Sequence, residues 1–185
     1  DFPADGGGRP QLSILQIRPM ADQSESATVA IQDDDRKHAF CYSENALGNG
    51  VSADLTDIVY VKPSDFDPSK TSAIAKEIAR MNAELVKAGR RYLLIGPGRW
   101  GSADPWLGIP VNWADISGAA VIVETTHKDF NADPSQGSHF FHNMTSLGMS
   151  YLNITAQSED FIKPGWFASH PVMRVRRFLS HIRLE

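Results

Sequence analysis

TSAIAKEIARMNAELVKAGRRYLLIG, residues 71–96, holds the part of the chain from which its fold class can be read. Ile74, Ile78, Met81 and Leu85 recur at spacings of four, three and four, which lines them along one helix face, while Lys76, Glu77, Glu84 and Lys87 fall elsewhere. Pro68 and Ser69 supply a start and Gly89 a stop, so a helix is expected over Thr71–Ala88. Arg91–Gly96 is then too apolar for a solvated segment and reads as a buried strand. Upstream, Asp57–Val61 is a short Ile/Val/Tyr strand ended by Pro63. Strand, helix and strand in this order predict a right-handed crossover joining parallel strands.

Outward from this unit, Ala119–Thr125 is a second apolar strand, and Ser138–Leu147 reads as a short helix before a strand at Ser150–Thr155. On the other side, Thr28–Ile31 and Lys37–Ser43 read as two strands joined by the acidic turn Asp33-Asp34-Asp35, a hairpin. Gln11–Arg18 alternates as a strand with apolar residues on both faces, and Pro19 ends it. The expected fold class is α/β, with a mixed, mainly parallel sheet and flanking helices. Its expected segments are a terminal strand of another unit (1–21), a linker and hairpin (22–53, with Asp22–Ser26 as polar linker) and an α/β domain (54–185). A strand begins almost at once and another pattern still runs at the end, so flanking sequence is expected.

The 185 residues are 42% hydrophobic and carry a formal net charge of -4, so a generally basic surface for nucleic acid is missing. Arg174, Arg176, Arg177 and Arg183 alternate with Val175, Phe178, Leu179 and Ile182, which reads as one solvated strand face. The single cysteine, Cys41, excludes an intramolecular disulfide and favours a reducing, cytoplasmic location. Its apolar neighbours suggest a small buried hydrophobe. No apolar run approaches the roughly 18 residues that span a membrane.

Leu15-Gln16-Ile17-Arg18-Pro19 resembles the LQxRP closing strand of the ATP-grasp nucleotide-binding domain in the phosphoenolpyruvate synthase and pyruvate phosphate dikinase family. The resemblance implies that Gln16 and Arg18 face nucleotide phosphates and magnesium, roles that suit an amide oxygen and a planar guanidinium. It also implies ATP and Mg2+ as cofactors of a full-length protein, pyruvate or phosphoenolpyruvate as its substrate, and an amino-terminal nucleotide-binding domain. A homo-oligomer is compatible with it. The family's upstream acidic ligand has no clear counterpart in Asp1–Pro10, so no tightly bound nucleotide is expected on this chain alone.

Gly96-Pro97-Gly98-Arg99-Trp100-Gly101-Ser102 follows the buried strand at the end where α/β proteins bind ligands. Glycines there can free backbone N–H groups for an anion, with Arg99 adding charge, so Gly96, Gly98, Arg99, Gly101 and Asp104 form a candidate anion or ligand loop. A turn with Arg99 paired to Asp104 and with Trp100 and Trp106 packed as a lid is the alternative. The spacing matches neither phosphate-loop nor dinucleotide fingerprints.

Ser138-His139, with Leu147-Gly148 eight and nine residues after the histidine, resembles the phosphohistidine swivelling domain of the same family. The resemblance implies that His139 carries a phosphoryl group, which a helix amino terminus would favour through free N–H donors. Phe140-Phe141 stands where that family has two alanines, and Thr145 where it has an arginine. A helix-capping Ser138 with packed histidines is equally open. No metal site is assigned: His139 and His142 share a face near Glu124, His127, Asp129 and Asp133, yet no zinc-type spacing recurs. The function implied is ATP-dependent phosphotransfer between pyruvate and phosphoenolpyruvate through a phosphohistidine. The competing expectation is a non-catalytic ligand-binding or docking domain.

Overall fold

The computed structural model describes residues 29–48, 50–126, 135, 143–144, 146–155 and 159–184. Its centre is the unit read first: strand β3 (Asp57–Val61), helix α2 (Thr71–Lys87) and strand β4 (Tyr92–Pro97), with β3 and β4 paired in parallel. Helix α2 buries Ile74, Ile78, Met81 and Leu85, the stripe its spacing demands. It stops at Gly89, whose φ of 66° is left-handed, and there the N–H groups of Gly89 and Arg90 return to the carbonyls of Val86 and Leu85.

Strands β7 (Ala119–Thr125) and β8 (Ser150–Ile154) continue the parallel series beside β4. The seven-stranded sheet is completed by β2 (Asn45–Leu47) against β8, and by β10 (Val172–Val175) and β11 (Leu179–Arg183) beside β3. These outer pairings are antiparallel. The fold is α/β with a mixed sheet, but the expected mainly parallel sheet is instead a parallel centre with antiparallel wings. Of the antiparallel pairs only β10–β11 is a hairpin, which needs no crossover helix; β2 meets β8 and β11 meets β3 across long stretches of chain.

Both faces are covered. Val59, Val61, Tyr92, Leu94, Ile122 and Leu179 pack under α2, whereas Ile58, Ile95, Val123, Ile154 and Ile182 face the other way. On that second face lie the ribbon β1 (Cys41–Tyr42) with β9 (Phe161–Ile162) and the short helix α3 (Pro164–Ser169), joined through stacked Phe40 and Trp166 rings with centroids 4.3 Å apart. Two-sided burial explains why the central strands read as continuous apolar runs.

Three sequence expectations change here. Where a hairpin was expected within 22–53, Asp33–His38 is a helix, α1: Gln32 and Asp35 form a reciprocal capping box, and acidic residues open it while Arg36, Lys37 and His38 close it. The acidic triplet therefore feeds a helix dipole instead of a turn. Residues 41–47 also pair with β8 and β9, so this stretch packs with the domain expected to begin at residue 54, while Asp22–Ser26, the expected polar linker, lies outside the described residues. Lastly, the arginine run is not one solvated strand face. It bends into the β10–β11 hairpin, and Arg174 and Arg176 both donate to Glu84 on α2, Arg176 at 2.6 Å. Gln11–Arg18 and most of Ser138–Leu147 lie outside the described residues.

A buried ionic group closes the opposite, amino end of the sheet. Asp57 is wholly buried, and its Oδ1 accepts from Arg90 Nη2 and, at 2.6 Å, from His181 Nε2. Opposite charge beside it makes that burial tolerable.

Candidate functional site: a crevice at the carboxyl ends of the parallel strands

The chain leaves β4 through Pro97 and Gly98 into a short parallel ribbon, β5 (Arg99–Trp100) with β6 (Gly108–Ile109). The backbone donors of this turn are committed internally. Gly98 N–H donates to Thr125, Arg99 to Leu107, Gly101 to Ile109, and Trp100 to the Glu124 carboxylate at 3.1 Å. An anion approaching the turn would have to displace those bonds. Arg99 itself is half-buried, and Asp104 is spent within its own loop: its carboxylate accepts from Trp106 N–H, and its carbonyl accepts from Leu107 N–H and the Ser102 hydroxyl. Of the two tryptophans, Trp100 is buried with its indole N–H on the Val123 carbonyl at 3.2 Å, and Trp106 is exposed.

Glu124 gathers the interior side of this loop. It is 3% exposed, and its carboxylate accepts from Trp100 N–H, Ser135 N–H, the Ser135 hydroxyl at 2.7 Å and the Tyr151 hydroxyl at 2.7 Å. Burial, reinforced by the Glu124 charge, pushes the Tyr151 phenol far above its ordinary range, with Arg99 acting weakly the other way. Tyr151 is thus a hydrogen-bond donor. With its oxygens taken up by four donors, Glu124 anchors the loop and is poorly placed to act as a base. Cys41 is also unsuited to chemistry, because burial raises its thiol to about 11.

Outside this anchor, between the strand ends and α3, opens a crevice of about 500 Å³. Tyr60 and Val61 of β3, Ile95, Gly96 and Pro97 of β4, and Thr125 and Thr126 at the end of β7 form its floor. Ile162, Pro164, Phe167, Ala168, His170 and Val172 form its other wall. Phe167 leans on Tyr60 with ring centroids 4.7 Å apart, and the His170 ring stacks on Trp166 at 3.8 Å. Thr125 donates its hydroxyl to the Gly96 carbonyl at 3.2 Å. Among the described residues lining it there is no Lys, Arg, Asp or Glu. A concave, largely apolar space with a few polar groups at the carboxyl edge of parallel strands is where open α/β sheets bind small molecules.

Of the residues singled out from sequence, Gly96 alone lines this crevice; Gly98, Arg99, Gly101 and Asp104 belong to the neighbouring turn. Gln16, Arg18, His139 and His142 lie outside the described residues. Sequence reading passed over Tyr60, Thr125, Thr126, Phe167 and His170. The proline-led stretch Pro164-Gly165-Trp166-Phe167, rich in large rings, was the available hint for part of that wall. Among the described residues no group of three or more His, Cys, Asp or Glu could hold a metal ion, and no helix is long and apolar enough to cross a membrane. No protein-family model, curated protein or solved structure matches this chain.

Proposed function

We propose that this chain is a ligand-binding domain whose site is the crevice between α3 and the carboxyl ends of β3, β4 and β7. The observation that carries this reading is the crevice's position and lining: about 500 Å³ walled by rings and prolines at the ligand-binding edge of parallel strands. The described lining residues include no Lys or Arg, which argues against phosphoenolpyruvate or nucleotide phosphates as occupants, since an anion would gain no ion pair from them in return for its hydration. Ala168→Trp, on the exposed side of α3, would fill the crevice. In a thermal-shift screen of small organic molecules, ligands that stabilise the wild type, by about 2.7 kcal/mol at a hundredfold over Kd, are expected to lose that effect in Ala168→Trp. Ligands that stabilise both proteins equally would overturn the reading.

A second proposal concerns the protein in which Gln16 and Arg18 stand. The Leu15–Pro19 string supports ATP-dependent phosphotransfer between pyruvate and phosphoenolpyruvate there, and Ser138-His139 with Leu147-Gly148 supports His139 as the carrier. The test uses that full-length protein with ATP labelled on the transferable phosphate, under conditions that preserve phosphohistidine. Loss of label in His139→Ala but not in His142→Ala is expected; label retained in His139→Ala would overturn it.

A further inference from the structure

The crevice has a hydrogen-bonding polarity that narrows the class of molecule it can hold. His170 Nδ1 lies 2.8 Å from the Trp166 carbonyl oxygen, which can only accept. Nδ1 must therefore carry the hydrogen, leaving Nε2 of the neutral ring as an acceptor. Stacking on Trp166 holds the ring in place, and the Ser169 hydroxyl, bonded to the same Trp166 carbonyl, stands beside Nδ1. Thr125 spends its hydrogen on Gly96, so its oxygen too is left to accept. Thr126, exposed at the rim, has a hydroxyl that can donate.

Flat walls supply the rest. Tyr60 and Phe167 present ring surface, which favours a planar aromatic partner through offset or edge contacts. Among the described lining residues there is no Lys, Arg, Asp or Glu, so a carboxylate or phosphate would gain no ion pair from those side chains.

We infer that the crevice takes an uncharged planar aromatic molecule bearing an amide or amine N–H, received by the Nε2 acceptor of His170. This rests on the proposed ligand-binding reading of the same crevice. An amide fits best, because its N–H meets His170 while its carbonyl can accept from Thr126.

Benzamide and benzoate test it, since they share shape and size but differ in offering N–H donors or an anionic acceptor. Calorimetry on the whole chain, with NMR shifts at Phe167 and His170 to locate binding, is expected to give benzamide at least about tenfold tighter affinity than benzoate, or about 1.4 kcal/mol. His170→Phe keeps a ring over Trp166 but removes the acceptor, and is expected to weaken benzamide severalfold. Benzoate binding in the crevice as tightly as benzamide, or benzamide affinity unchanged in His170→Phe, would overturn the donor-selective inference and leave the ligand-binding reading standing. Neither probe perturbing the crevice residues, together with a screen in which Ala168→Trp changes nothing, would overturn both. The wild-type comparison of the two probes does not depend on the variant folding.

Discussion

Glu124 is a charged side chain at the end of the strand Ala119–Thr125, and its worth lies in the donors it satisfies. Tyr151→Phe removes one of them and is expected to cost about 1–2 kcal/mol. Glu124→Ala would leave the Tyr151 hydroxyl, the Ser135 hydroxyl and N–H, and the Trp100 N–H to find other partners in a buried setting, so a loss of about 3 kcal/mol or more is expected. Urea unfolding measures both; a Glu124→Ala cost no larger than the ~0.5 kcal/mol of an ordinary surface change would refute the anchoring role. In sequence, Glu124 stood out only as a neighbour of histidines. Its partners Trp100 and Tyr151 sit 24 and 27 residues away, and no local pattern links them.

Among the elements, the ribbon β5–β6 and the end of α2 depend on glycine for different reasons. A Cβ on Gly108 would lie 1.9 Å from the Arg99 carbonyl oxygen, so Gly108→Ala is expected to prevent the two strands from pairing. Gly89 has open space around it but a φ of 66°, so Gly89→Ala is expected to cost only about 1 kcal/mol. Amide exchange would separate the two: fast exchange at Arg99 N–H and Gly101 N–H in Gly108→Ala, with the Gly89→Ala chain protected there as in the wild type. Equal protection of these amides in both variants would mean that the ribbon tolerates the side chain. The helix stop at Gly89 was legible because its cause is local, whereas the close approach at Gly108 is a meeting of two strands across a loop. α1 differs from both: its cause is local, the Gln32–Asp35 capping box with acidic residues first and basic residues last, yet the acidic triplet alone suggested a turn.

For the whole molecule, two buried phenols set an alkaline limit. Tyr92, whose hydroxyl donates to Asn82 at 2.9 Å, is raised above its ordinary 10.0 by burial, and Tyr151 by burial and then by Glu124. A group raised on folding favours the folded state below its unfolded value and loses that contribution above it. Stability is therefore expected to be level up to about pH 10 and to fall beyond it as the unfolded chain releases protons that the folded chain retains. Denaturation midpoints on either side of that pH test this, and Tyr151→Phe is expected to shallow the fall; an unchanged midpoint would contradict it. The sequence by itself determined the α/β class, the helix Thr71–Lys87 and the central strands, because hydrophobic period and helix stops are properties of neighbouring residues. Only the tertiary structure decided that the sheet has antiparallel wings, that the turn after β4 spends its donors inward, and that Tyr60, Thr125, Phe167 and His170 meet around one crevice. Those facts depend on which strand edges and faces come together, and pairing between segments far apart in sequence, such as β2 with β8 or β3 with β11, leaves no period in the chain to read.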